Sequence, residues 1–225
     1  MVAPYDSSLQ LDVSPMLPFV SGGNQYLRDF SGNSRNGLCT GFAGTDVEYE
    51  VAPGGQCISI ATPKYINHGQ ILNYTFEDFT FEIMVRPNSI ANAPMLFSNS
   101  NFVTNGYFIE LLADGSLQLT TSQGGASQST ISALGSFVAG LSYYHIMATR
   151  TGALVRFFRN GVELAYSAVG VHLNPVTSAL NFQVGRYLAV AGLDLDGRIL
   201  RYRSWNRALG TAEIWERWIS LGRGI

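Results

Sequence analysis

The sequence predicts an all-β chain: an antiparallel β-sandwich or barrel with an extended N-terminal arm and one short C-terminal helix. Three observations carry that reading. Short runs alternate apolar and polar residues with the period of a half-buried strand. Turn-forming pairs, Asp114-Gly115, Thr151-Gly152 and Asn160-Gly161, fall between those runs as hairpins require. Gly is abundant at 24 residues, 46% of residues are hydrophobic and only 13% are charged, which suits many turns around a substantial core rather than long helices.

Residues 1–25 read as the arm. They carry Pro4, Pro15 and Pro18, apolar residues without a period, and then Ser21-Gly22-Gly23. Such a segment lies along its own domain or along a neighbour. If it serves a neighbour, its removal is expected to leave the fold intact. Residues 26–225 read as one domain without a linker.

Within that domain FTFEIMVR (79–86) alternates cleanly, with Phe79, Phe81, Ile83 and Val85 on one face and Thr80, Glu82, Met84 and Arg86 on the other. YFIELLADGSLQLTTS (107–122) reads as a hairpin, HIMATRTGALVRFFRNGVELAYS (145–167) carries two further turns, and LNFQVGRYL (180–188) is another short strand. The low-charge stretch 120–136 is expected to be a flexible polar connection or a poorly ordered strand pair. The helix is placed at about 210–221. Gly210 stands at its N-cap with Glu213 at N3, and Leu209 and Ile214 sit at the positions of a hydrophobic staple. Glu213 and Arg217 are spaced for an i,i+4 pair. Ile214, Trp215, Trp218 and Ile219 form a stripe that must be docked, with the tryptophans expected in the core.

The net charge of −2 argues against a general nucleic-acid binder. Lys64 is the only lysine. Cys39 and Cys57 do not make a disulfide framework and are expected to be small buried thiols, although a bond between them is possible. The first residues lack the cationic and unbroken apolar regions of a signal peptide, and no run is long enough to cross a bilayer. The chain is therefore expected to be made in a cytoplasm, without membrane insertion.

FTFEIMVRP, YYHIMATRTGALVRFFRNGVEL and the closing LDGRILRYRSWNRALGTAEI (195–214), with YLRDFSGNSRNGLCTGF upstream, resemble the laminin-G-like, concanavalin-A-like jelly rolls of the lectin and glucanase superfamily. The resemblance covers about residues 26–220 and implies a jelly roll, an antiparallel two-sheet β-sandwich; it says little of function, because the fold hosts lectins, adhesion modules, glycosidases and structural domains. This chain departs from the family in its closing strand. Leu200 and Arg201 replace an acidic pair, so Arg201 and Arg203 share one face, read either as a solvated surface or as a partner interface. His145 falls where the family keeps a structural histidine.

The resemblance also raises catalysis, since related glycosidases place closely spaced carboxylates on one strand face. Asp78 and Glu82 share a face with Thr80, but Glu77 is out of phase, and no enzyme is expected. His68, His145 and His172 are too scattered for a zinc site. Many lectin-like jelly rolls bind calcium, for which Asp194 is the candidate ligand; Asp196 sits at a turn position. Glycan binding needs an aromatic plate with amides or carboxylates on exposed loops. Asn99, Asn101, Asn105 and Tyr107 in the 92–107 loop, and Tyr187, are the candidates. The leading expectation is a non-catalytic structural protein on a virion surface (a capsid decoration, fibre or tail component), attached to protein neighbours through the arm or through Arg201 and Arg203, with glycan binding as a second role. The alternative is a stand-alone carbohydrate-binding or adhesion module, which would act outside the cell.

Overall fold

The structure, a computed structural model, describes residues 6–15, 18–42, 47–50, 55–140, 142–187, 190 and 192–222. In chain order its strands are β1 (Leu9–Val13), β2 (Phe19–Ser21), β3 (Asn24–Leu27), β4 (Gly37–Thr40), β5 (Val47–Glu50), β6 (Gly55–Ile60), β7 (Tyr65–Asn67), β8 (Phe79–Ser89), β9 (Met95–Ser98), β10 (Tyr107–Leu111), β11 (Leu117–Gln123), β12 (Ala126–Ser132), β13 (Tyr144–Thr151), β14 (Leu154–Arg159), β15 (Val162–Glu163), β16 (Tyr166–Ala168), β17 (Gln183–Val184) and β18 (Asp196–Trp205). A single helix among the described residues, α1, spans Thr211–Gly222.

The strands form two antiparallel sheets. One has the order β15-β14-β13-β8-β18-β6-β5, with β1 also on β18; the other runs β16-β12-β11-β10-β9-β17-β7-β4-β3-β2. This is the jelly-roll sandwich that the family resemblance implies. The core face of β8 packs Phe79, Phe81, Ile83 and Val85 into the space between the sheets, each at most 1% exposed. Facing rings meet them: Phe79 and Tyr107 stack at 5.2 Å, Phe81 and Phe97 lie 5.0 Å apart, and Phe81 stacks on Phe182 at 5.7 Å. Each such side chain contributes about 1.5–3 kcal/mol by leaving water, so this aromatic column anchors the fold.

The N-terminal segment lies along its own domain, one of the two placements read for it from the sequence. β1 pairs with β18 in the register Leu11↔Ser204 and Val13↔Tyr202, and Leu11 and Val13 are fully buried. β2 and β3 continue the second sheet. Cutting away residues 1–25 removes strands from both sheets, so the expectation that the fold survives it is corrected. Residues 1–5, 16 and 17 of this segment lie outside the described residues.

The 120–136 stretch is also ordered more firmly than its composition suggests. β11 and β12 form a tight hairpin, with Gly124 and Gly125 at φ of +52° and +107°. Its inward-facing Thr121 and Thr130 are fully buried, and their hydroxyls bond both nitrogens of the His172 ring at 2.9 Å. Internal hydrogen bonds remove the cost of burying those polar groups.

At the C-terminus α1 begins as expected: the Glu213 carboxylate accepts the Gly210 N–H at 2.9 Å. Two details differ. Glu213 makes its ion pair with Arg207 at 2.7 Å, while the Arg217 guanidinium sits over the Trp205 ring at 4.2 Å. Of the apolar stripe, Ile214 is fully buried against Met147, Phe158, Trp205 and Leu209, but Trp215 is 46% exposed. Trp218 is partly buried and stacks on the buried His145 ring. The tryptophans lie over the Asn160-Gly161 turn rather than in the core. Cys39 and Cys57 are buried and are not joined in a disulfide.

Candidate functional site

The loop joining β9 to β10 is built from within. Asn99 is 1% exposed; its Oδ1 accepts the Tyr107 N–H at 3.0 Å and its Nδ2 donates to Leu72 O at 3.3 Å. Gly106 closes the loop at φ +70°, where an added Cβ would lie 2.6 Å from Asn99 O. The Ser100 hydroxyl bonds Asn105 O at 2.7 Å, and Asn105 Oδ1 accepts the Asn101 N–H at 3.1 Å. The short span between these anchors holds Phe102 at the unusual φ of +40° and leaves its ring 55% exposed.

Beneath Phe102 lies an aromatic shelf on the outer face of the second sheet. Its ring stacks on Phe108 at 6.2 Å with planes 12° apart, and Phe108 packs on Tyr187 at 5.5 Å. The Phe102 N–H donates to the Tyr187 hydroxyl oxygen, which ties the two loops together. Burial raises the Tyr187 phenol above its ordinary value, so it is a neutral hydrogen-bonding group.

A polar row continues from the shelf on the same sheet face. Gln118 Nε2 donates to Glu110 Oε1 and to Thr120 Oγ1, both at 3.0 Å, and the Thr120 and Ser129 hydroxyls meet at 2.8 Å. Glu110 is 8% exposed, and burial pushes its carboxyl up to about 7. An aromatic surface beside amide, carboxyl and hydroxyl groups is the combination that sugar recognition requires, with stacking for the ring faces and hydrogen bonds for the hydroxyls.

The five predicted glycan ligands therefore divide. Asn101 is exposed and Asn105 half-buried at the rim. Tyr187 is 2% exposed and supports the shelf from below. Asn99 and Tyr107 are corrected to scaffold: both are buried, and the Tyr107 hydroxyl donates to Leu72 O inside the sandwich. Residues 188, 189 and 191 of the neighbouring loop lie outside the described residues. Phe102, Phe108 and Glu110 were not singled out from sequence. Phe102 had a legible signal, being the one aromatic in an Asn- and Ser-rich loop tip; the other two read as ordinary strand residues.

The remaining candidates have structural partners. Arg201 and Arg203 do share the outer face of β18, but their own chain occupies it. Asp12 accepts Arg201 Nε and Nη2 at 2.9 and 2.6 Å and Arg203 Nε at 3.2 Å, while Arg203 Nη1 reaches Glu82 at 3.1 Å. These contacts bury most of Arg203 and leave about a third of Arg201 exposed. Glu82 is buried on that face, its other oxygen 2.7 Å from His145 Nε2. Burial pushes the carboxyl up, but Arg203 and His145 outweigh it and hold it at about 2. Asp78 accepts the Gly152 N–H and Glu77 the Thr75 and Phe76 N–H groups, so the three carboxylates serve separate structural contacts. Asp194 lies 3.8 Å from Arg186 Nε, and Asp196 accepts Asn88 Nδ2 at 2.9 Å. A guanidinium beside Asp194 does not fit a calcium ligand set, and among the described residues no three His, Cys, Asp or Glu side chains converge. A cleft of about 610 Å³ lies elsewhere, between Phe19, Gln25, Cys39 and Phe42; it adjoins segments outside the described residues and is not read as a site.

Comparison with known proteins agrees with this architecture. No curated protein matches the chain. Among solved structures it is similar to the binding domain of Paraclostridial Mosquitocidal Protein 1, at a TM-score of 0.68 and 17% identity over 95% of this chain and 52% of that one. It is also similar to botulinum neurotoxin type C, whose cell entry is described as dependent on two ganglioside molecules (TM-score 0.63, 14% identity, 98% and 53% covered). A third is the botulinum neurotoxin DC binding domain in complex with SialylT (0.60, 13%, 95% and 51%). The chain spans about half the length of these structures, and at such identities the likeness is one of fold. The family model described as the concanavalin A-like lectin/glucanases superfamily matches residues 61–215, and the chain belongs to that superfamily.

Proposed function

We propose that this chain is a non-catalytic, lectin-like binding module that takes a glycan on the outer face of its second sheet. The observation that carries the reading is the half-exposed Phe102, held at positive φ and stacked on Phe108, which Tyr187 supports, beside the Glu110–Gln118–Thr120 row. Superfamily membership supports it, as do similar structures described with gangliosides and SialylT. A saccharide ring would lie on Phe102, with Asn101 and Asn105 at its edge. Display on a virion surface, or outside a cell, is a setting this module would suit. The attachment surfaces first assigned to a virion role, the arm and the Arg201/Arg203 face, are engaged within the chain.

The test is binding to a broad glycan array, with calcium and again with EDTA. We expect selective, saturable binding that EDTA leaves unchanged and that Phe102→Ala reduces by about tenfold, the loss of one stacked ring. A folded protein that binds no glycan overturns the reading.

A further inference from the structure

One end of the sandwich concentrates exposed apolar side chains on separate turns. Phe76 precedes β8, Leu154 follows the β13–β14 turn, and Val171, Leu173 and Val176 lie on the crossing segment after β16. They are 76%, 60%, 71%, 56% and 50% exposed respectively. Hydrogen bonds bring these segments together. Arg150 joins Glu77 O to Asn174 Oδ1, His172 N–H donates to Ala153 O, and Gln123 Nε2 donates to Leu173 O.

Charge at this end is sparse and its one cation is buried. Across segments 73–78, 99–106, 122–126, 151–154 and 169–178 the only residues of formal charge are Glu77 and Asp78, and both carboxylates accept backbone N–H groups. Arg150 is 1% exposed. His172 is buried beneath Val171 and Leu173, its ring held between the Thr121 and Thr130 hydroxyls. That clamp fixes the apolar neighbours outward.

We propose that this end of the sandwich rests on a lipid bilayer, with Phe76, Leu154, Val171 and Leu173 entering the boundary between headgroups and acyl chains. With no exposed lysine or arginine and two partly exposed carboxylates, Glu77 and Asp78, these segments suit a zwitterionic surface over an anionic one, which would call for lysines and arginines. Apolar knobs on separate turns suit a deformable partner; a protein would need a matching cavity for each. The contact is peripheral and needs no spanning segment, so it is compatible with a chain in which no helix is long and apolar enough to cross a membrane among the described residues. It does not rest on the glycan reading, since it uses other residues and the test contains no sugar.

The experiment is co-sedimentation of the full chain with vesicles of phosphatidylcholine alone, and with vesicles containing phosphatidylserine, at low and high salt. We expect binding to phosphatidylcholine that salt does not weaken and that Val171→Ser with Leu173→Ser reduces by about tenfold or more. Leu154→Ser, in a different loop, is expected to weaken it as well, which separates the contact from a local folding defect. Absence of binding to phosphatidylcholine, or binding that requires phosphatidylserine and disappears in salt, overturns the proposal. So does a self-associating protein that the double substitution makes monomeric without any change in vesicle binding.

Discussion

Asp12 and Arg201 stand 189 residues apart in sequence and meet through two near-parallel hydrogen bonds of 2.9 and 2.6 Å. The same carboxylate takes a third bond, from Arg203, which in turn holds Glu82. The first strand of the chain is thus locked to the last by charge on one face, while Leu11 and Val13 of the same strand fill the core on the other.

Asp12→Asn is expected to destabilise the protein by about 1–3 kcal/mol, because it leaves the partly buried Arg201 without its counter-charge and the buried Arg203 with Glu82 alone. Asp6, whose pair with Arg207 is more exposed on both sides, sets the control. Asp6→Asn should cost less than about 1 kcal/mol. Urea unfolding of both variants measures this. Equal costs would mean that the Asp12 network contributes no more than a surface ion pair.

Glu110 makes a second prediction, in the opposite direction from most carboxylates. Burial raises its folded-state value from 4.5 to about 7, so between those values the folded protein binds a proton that the unfolded chain has released. Stability from this group is full below pH 4.5 and is lost as pH rises through 7, by up to roughly 3 kcal/mol. His68 and His172, each lowered to about 4 chiefly by burial, act the other way over pH 4 to 6.5, so the wild-type profile alone does not isolate the carboxyl. Glu110→Gln does. Its stability relative to wild type should rise between pH 5 and pH 8. A constant difference would show that Glu110 titrates normally.

How much of this was legible follows from what periodicity can report. Alternation along 79–86 gave β8 and its core face, and Asn160-Gly161 gave a hairpin at which both residues do adopt positive φ. β11 was legible as the second strand of the 107–122 hairpin; β12 escaped because Thr130 is polar yet faces inward, and what makes it tolerable is His172, 42 residues downstream. The N-terminal strands escaped for a related reason. Leu11 and Val13 alternate over too few residues to stand out among prolines, and their partner strand lies at the far end of the sequence. For the site, Asn and Tyr in a loop suggested ligands, but the same side chains build loops: Asn99 bonds the backbone that displays Phe102. Local pattern identifies which residues are polar, and only tertiary pairing decides whether they point at a ligand or at the chain itself.

Gly161 tests how the helix is seated. It lies at φ +78°, and a Cβ there would come within 2.8 Å of Trp215 Cε3 and 3.0 Å of Trp218 Cδ1. Gly152 occupies the neighbouring hairpin at φ +56° with nothing within 4 Å. Gly152→Ala therefore isolates the backbone cost, about 1 kcal/mol. Gly161→Ala adds the collision with both indoles, for a total of about 2–3 kcal/mol, and displaces Trp218 from its stack on His145. Thermal unfolding gives the first quantity and tryptophan fluorescence the second. If Gly161→Ala costs no more than Gly152→Ala and leaves the fluorescence unchanged, the turn does not support α1. If it costs more and shifts the emission, the Asn160-Gly161 turn is the floor on which the closing helix rests, and its glycine is required by the tryptophans as well as by the hairpin.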